Sequence, residues 1–444
     1  MTGFSETIQS IFRDKTRVLI ILMSTAALLR LVMLWSSTFD PPWHYPDLYH
    51  HYADLVFEGK IPYRDFTVEY PQLAILIFLI PKIVCVVSGN EALYRPVYVT
   101  MTFAADMVNV FLVYRLTEMY LTYYGPRQRV LSRKTGNHND FGEENLEPDQ
   151  RRVFELSLIY AGSPIAAYLS LYRYDVFVIL LVLIALNIFM KRIFFLQCGI
   201  VTAHCSTAPA WILLGFAACL KWYPALLAIP FFSAEFIDKK KAFRMATLFV
   251  AVVIAVMLPF ILLSPEGFLN SYTFHFSRYP NRGSILVPIT TFLGLDRNAL
   301  NKVSLVIMLS LLAIISFYSF KHPQKILQSS SMLVITFVLF NKVFSTQFVL
   351  WYTSISAPLV YDGWEYFYLG VAQVFAWIEL PVALENPPSV IGKWAFTMMF
   401  LILLLRRERI IAKVKKDLTD IIHRRQKFLQ QHPFIISKIR PALN

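Results

Sequence analysis

The chain predicts an all-α polytopic membrane protein of about twelve transmembrane helices, with a large first external loop carrying interfacial helices. Three observations lead there. Of 444 residues, 56% are hydrophobic and only 16% charged, with mean hydropathy +0.51, whereas a soluble domain is about one quarter charged. Continuous apolar runs approach the ~20 residues that cross a hydrocarbon core. No water satisfies backbone groups there, so the runs must be helices. Finally, the net charge of +13 gathers in short segments between the runs and in the C-terminal tail. That is the positive-inside pattern, not a nucleic-acid surface.

The first run, about 18–35, follows Arg13, Lys15 and Arg17, which sets the N-terminus in the cytoplasm. It is long enough to span and lacks a small-residue cleavage site, so it reads as an anchor. The first external loop covers 38–94. Within it, QLAILIFLIPKIVCVV (72–87) is apolar but short and interrupted by Pro81-Lys82. Parity decides its place. If it crossed, the charged loop 125–152, with Arg127, Arg129, Arg133, Lys134, Arg151 and Arg152, would lie outside. If it lies along the outer interface or re-enters, that loop is cytoplasmic, as are Lys191-Arg192, Lys239-Lys240-Lys241 and Lys321. The second arrangement is preferred.

Further spans are expected at 97–120, 153–171, 175–190 and 242–263. The stretch 208–236 reads as two short spans meeting at KWYP (221–224), because proline removes a donor and clashes with the preceding turn. A second external loop, 264–300, precedes spans near 302–320, 326–343, 347–361, 365–384 and 391–405, so 1–405 forms one transmembrane domain. In the basic cytoplasmic tail, 406–444, Ile411, Val414, Leu418, Ile421 and Ile422 recur opposite Lys415, Lys416 and Arg425. That spacing fits an amphipathic helix on anionic lipid and equally a helix packed on a partner. Cys85, Cys198, Cys205 and Cys219 lie in or beside apolar segments without metal-ligand spacing and read as small buried residues.

The first loop carries the densest chemistry. On a helix, Asp47, His51 and Asp54 share one face while Leu48, Tyr52 and Leu55 pack down. A carboxylate there can serve as general base towards a sugar hydroxyl; solvated loop charges are the plainer alternative. In IPYRDFTVEYP, Pro62 and Pro71 stiffen the chain and fix Glu69 near the next helix, where it could also cap. Ionisable residues at membrane depth are functional candidates: Arg173 and Asp175 in LYRYD, and Lys221 at the proline break. YTFHFSRYPNRG adds His275, Arg278 and Arg282, whose guanidinium groups suit a lipid phosphate; snorkelling to headgroups is their alternative. NKVFSTQFVLWY sets Lys342, Ser345 and Gln347 at an outer helix start, with Trp351 and Tyr352 as interfacial anchors. There is no phosphate-binding G-x-x-x-x-G-K-[ST] and no H-E-x-x-H. His44, His50 and His51 are close in sequence without forming a clean metal triad. No cofactor or metal site is expected, and metal dependence stays open.

Taken in order, these motifs resemble the GT-C superfamily of membrane glycosyltransferases, most closely its prokaryotic polyprenyl-phosphate-mannose-dependent α-mannosyltransferases. The matching pieces are DLYHHYA (47–53), G-x-x-P-Y-R-D-F-x-x-E-Y-P (59–71), RYD (173–175), K-x-Y-P (221–224), an H-x-x-R-x-x-x-R-G-like stretch (275–283) and K-V-x-S-x-Q-F-x-L-W (342–351). The resemblance implies a GT-C-like fold, a polyprenyl-phosphate sugar donor, a glycan or lipid acceptor, and inverting transfer at the external face. It assigns Asp47 as general base and Arg173, Lys221, Arg278 and Arg282 to the leaving phosphate. Glu69 and Asp175 would position sugar or loop. Arg64, Tyr70, His275 and Gln347, within these motifs, complete the substrate-binding set. Gln72 stands where a second proline is usual, S-T-Q-F (345–348) replaces S-P-Q-Y, and Tyr279-Pro280-Asn281 lengthens the R-G segment. A flippase of lipid-linked saccharides and a non-catalytic envelope-assembly protein are the competing classes. The first expects essential charges near mid-membrane, but the charged candidates here gather at one surface.

Overall fold

The computed structural model describes residues 12, 14–36, 44–133, 149–197, 206–379 and 387–407. The basic tail beyond 407, most of the charged loop 125–152, Cys198, Cys205 and the side chain of His44 lie outside the described residues. The chain divides into two compact units, Met1–Thr397 and Met398–Asn444; the account below concerns the first. Its described regular elements are all helical apart from one isolated bridge, Pro62 to Phe66.

Helix α1 (Lys15–Ser36) is followed by α2 (His44–Phe57) and α3 (Gln72–Ser88), then by α4 (Tyr94–Arg133). Next come α5 (Gln150–Ala161), α6 (Pro164–Tyr172), α7 (Asp175–Gln197) and α8 (Ala208–Leu220). A 3-10 turn (Tyr223–Leu227) leads into α9 (Ala228–Glu235) and α10 (Lys239–Leu263). Then follow α11 (Pro265–Ser277), α12 (Leu286–Leu293), α13 (Arg297–Lys321), α14 (Ile326–Phe340), α15 (Phe348–Ser356) and α16 (Gly363–Glu379).

Among the described residues, five stretches are helical, long and apolar enough to cross a bilayer: Lys15–Ser36, Glu91–Tyr123, Lys239–Leu263, Asn298–Lys321 and Pro387–Arg407. A sixth appears if α5 and α6, bent by 51°, count as one broken span. The chain is therefore an all-α membrane protein, with fewer qualifying helices than the dozen crossings expected. For three of the expected crossings the reason is length: α8, α14 and the helical stretch Phe348–Leu359 are apolar but no longer than 15 residues, ~23 Å at 1.5 Å per residue, against the ~30 Å of a hydrocarbon core. Helix α3, expected to lie along the interface, is likewise short at 17 residues.

The bend between α5 and α6 has a local cause. Ser163 caps α6 by accepting from the Ala166 N–H, and Pro164 occupies its first turn, where a missing N–H costs nothing. The carbonyl of Ala161 is released from the ladder and accepts from buried Arg30 of α1. Arg30 also donates from Nε to Asp106 at 2.7 Å, and the Tyr160 hydroxyl donates to the other oxygen of Asp106 at 2.6 Å. Without such partners, burying that charge would be costly.

In the first loop the buried face of α2 is set by tyrosines. Tyr49, Tyr52 and Ala53 are buried, while Leu48 and Leu55 are only half-buried. The expected face, 48, 52 and 55, is thus rotated by about one residue. Large aromatic partners win the core side: Tyr49 stacks on Phe78 of α3 at 4.2 Å and meets Tyr70, Tyr98 and Tyr174 edge-on or tilted. Asp47 and His51 face solvent as expected.

Candidate active site

The cationic residues of the site stand at chain breaks. Arg173 is the extended residue that ends α6, and Lys221 is the extended residue that ends α8 before the KWYP turn. Arg278 ends α11 in the same conformation. Each break releases a side chain from helical packing and aims it towards a common cavity of about 530 Å³.

Arg173 is 4% exposed, its guanidinium stacked 3.8 Å above the Tyr45 ring. Its Nε and Nη1 are buried with no hydrogen-bond partner, and its nearest carboxylate, Asp175, is 3.6 Å away. A buried guanidinium with unused donors is costly in isolation and is poised for an anionic ligand. Lys221 lies over the Tyr174 ring at 4.6 Å and 3.8 Å from Asp175. Asp175 is fully buried and is oriented by Trp351, whose Nε1 donates to it at 2.9 Å.

From the second loop, His275 Nε2 is 2.8 Å from the Glu69 carbonyl oxygen. A carbonyl only accepts, so that nitrogen carries the proton. Burial pushes the imidazole below its ordinary value, and the Arg278 charge adds to this. Lys342 also lines the cavity, its ammonium donating to the Phe276 carbonyl at 2.6 Å. Burial, with Arg278 adding to it, holds Lys342 below the usual lysine range.

The lining has two characters. Four cations, Arg173, Lys221, Arg278 and Lys342, stand against one carboxylate, Glu69. Leu305 and Met308 of α13 with Phe337 and Phe340 of α14 add an apolar set. Such a cavity suits a ligand with an anionic head and an apolar tail.

Of the residues singled out from sequence, Glu69, Tyr70, Arg173 and Lys221 line the cavity, as do His275, Arg278 and Gln347. Glu69 does not cap α3: its N-cap is Pro71, with no side-chain cap. Asp175 stands behind the cations rather than in the lining. Asp47 is outside it too, two residues beyond the lining residue Tyr45. Both Asp47 oxygens accept from Arg95, at 2.8 and 2.7 Å. Arg64 is turned away and grips Asp65 through two hydrogen bonds of 2.8 Å. Those bonds, with the Ile61 N–H, bring the Asp65 carboxyl down to about 2. Arg282 is exposed and outside the lining.

Trp351 and Tyr352, expected as interfacial anchors, are both buried; the indole is spent on Asp175 and Tyr352 bonds Thr397 at 2.8 Å. Sequence reasoning missed Tyr45, Trp222 and the apolar slot of α13 and α14. The slot residues look like any spanning helix, whereas Trp222, inside KWYP, and Tyr45, beside His44, each lay next to a residue already singled out. Among the described residues one further group has metal-ligand geometry: His50, Asp54 and Glu91. Lys82 already places its ammonium 2.6 Å from both carboxylates and supplies the balancing charge. The chain matches no protein-family model and no curated protein.

Proposed function

We propose that this protein is a GT-C-like membrane glycosyltransferase of about a dozen crossings. It moves a hexose, mannose first, from a polyprenyl-phosphate donor to a glycan or lipid acceptor at the external face. The observation that carries this is the mixed lining of one cavity: unsatisfied buried Arg173 among four cations, together with apolar side chains of two hydrophobic helices, α13 and α14.

The phosphate of the donor binds Arg173, Lys221 and Arg278, with its prenyl chain in the slot. The sugar lies towards Glu69 and Tyr70, where the carboxylate orients its hydroxyls. The acceptor enters past Tyr45, and its hydroxyl oxygen attacks the anomeric carbon opposite the phosphate. A carbon–oxygen bond forms to the acceptor while the bond to phosphate breaks. The hydroxyl proton passes to Asp47, which the motif pattern makes the general base and which must exchange its Arg95 contacts to receive it. Polyprenyl phosphate leaves with the bonding electrons, and its added charge is met by the cations. Preorganised charge of this kind is the largest usual contribution to such catalysis.

Purified protein with radiolabelled polyprenyl-phosphate sugars and candidate acceptors tests this. Asp47→Asn should bind polyprenyl phosphate normally and lose transfer by about 10²- to 10⁴-fold. Glu69→Gln should chiefly raise the donor KM. Full activity in Asp47→Asn removes the proposed base. No transfer from any donor, together with lipid-sugar movement across vesicles, replaces the enzyme with a flippase.

A further inference from the structure

The strip 341–347, between α14 and α15, carries the cavity residues Lys342, Ser345 and Gln347 and has no helical ladder to hold it. It is instead pinned at its centre, Phe344, from two sides. The Phe344 N–H donates to Asn281 Oδ1 at 3.0 Å. Asn281 also donates from Nδ2 to Ser345 Oγ at 3.1 Å and from its backbone N–H to the Lys342 carbonyl at 3.0 Å. The Phe344 carbonyl accepts from Lys393 Nζ at 2.9 Å.

Lys393 is an improbable choice for a mere filler. It is fully buried in the apolar helix Pro387–Arg407 and pairs at 2.5 Å with Glu379, the last residue of α16. A buried ion pair is weak as a source of stability, and ionisable groups inside apolar helices mark function by default. The fit is also tight. A Cβ on Gly283 would collide with the Phe344 carbonyl and stand 2.7 Å from Glu379 Oε1, so a glycine there lets the second loop reach the pair.

We infer that Lys393, held by Glu379, is a positioning residue. It fixes the strip through the Phe344 carbonyl and so sets Lys342 and Gln347 against the donor's phosphate. This rests on the transferase reading above.

The test uses full-length protein in detergent or nanodiscs. Lys393→Met with Glu379→Gln removes both charges together and leaves no lone buried carboxylate. Hydrogen exchange of 341–347 should quicken, and the donor KM should rise roughly tenfold, the worth of one charge-assisted hydrogen bond, with kcat changing less. Lys393→Arg should recover most of both. Asn281→Ala, which loosens the same strip from the other side, should shift both readouts in the same direction and stands in should the double variant not fold. Unchanged exchange in 341–347, or quickened exchange with an unchanged KM, overturns the inference. Wild-type protein that transfers no sugar sinks the transferase reading separately, and exchange alone then decides the tether.

Discussion

Arg173 and His275 illustrate how single side chains acquire purpose from their surroundings. Stacking on Tyr45 holds the Arg173 guanidinium against an aromatic face while its Nε and Nη1 make no hydrogen bond and Asp175 stands 3.6 Å from Nε. His275 is the group through which pH acts on the junction between the two loops. Burial first, then Arg278 and Lys221, lowers its pKa from 6.5, against the opposing pull of Glu69. As pH falls through 6.5 the unfolded chain takes up this proton before the folded one, so the contribution to stability declines through that window and levels off once the folded imidazole is also charged. Wild-type protein should therefore lose more thermal stability than His275→Gln between about pH 7.5 and about pH 5.5. Parallel losses in the two proteins would remove His275 as the sensor. Glu69 and Asp47 carry a different lesson. Both are carboxylates in one polar stretch, yet one lines the cavity and the other is clamped by Arg95, a distinction that depends on partners remote in sequence.

At the scale of elements, the first loop is organised by a tight turn. Tyr63 has φ +67°, a conformation non-glycine residues adopt only when their surroundings enforce it. Its hydroxyl donates to the Tyr70 carbonyl at 2.6 Å, and its own carbonyl accepts from Ser264 at 3.4 Å. That carbonyl is pressed against the first turn of α11, where a Cβ on Gly267 would overlap it. The contact joins the two external loops whose ends supply Glu69 and His275. Gly267→Ala should destabilise the protein by about 1–3 kcal/mol or more, the usual cost of overpacking, read as a lower thermal midpoint. An unchanged midpoint would mean the loops are not pressed together there. The prolines of IPYRDFTVEYP marked this segment as stiff, but nothing in it announced that its partner would be Gly267, two hundred residues away.

For the whole molecule, the proposed orientation places the first loop outside and the start of α5 in the cytoplasm. A chain with its four cysteines replaced can report this. Lys60→Cys, at an exposed position, should react with an impermeant maleimide in intact cells, whereas Arg151→Cys, also exposed, should react only after permeabilisation. The reverse pattern would invert the assignment. The sequence by itself determined the class of fold and its residence in a membrane. Uninterrupted apolar runs leave the backbone no alternative to helix, and that constraint is local. It also marked the helix break at 221–224, because proline acts on its own turn, whereas 153–171 read as one span and its 51° bend at Ser163-Pro164 emerged only in the structure. What only the tertiary structure decided is convergence: that Arg173, Lys221, Arg278 and Lys342 meet in one cavity, that Trp351 faces inward, and that α13 and α14 offer an apolar slot. A buried aromatic and a lipid-facing one have the same composition, and an ion pair is defined by distance, so neither can be read until the helices have packed.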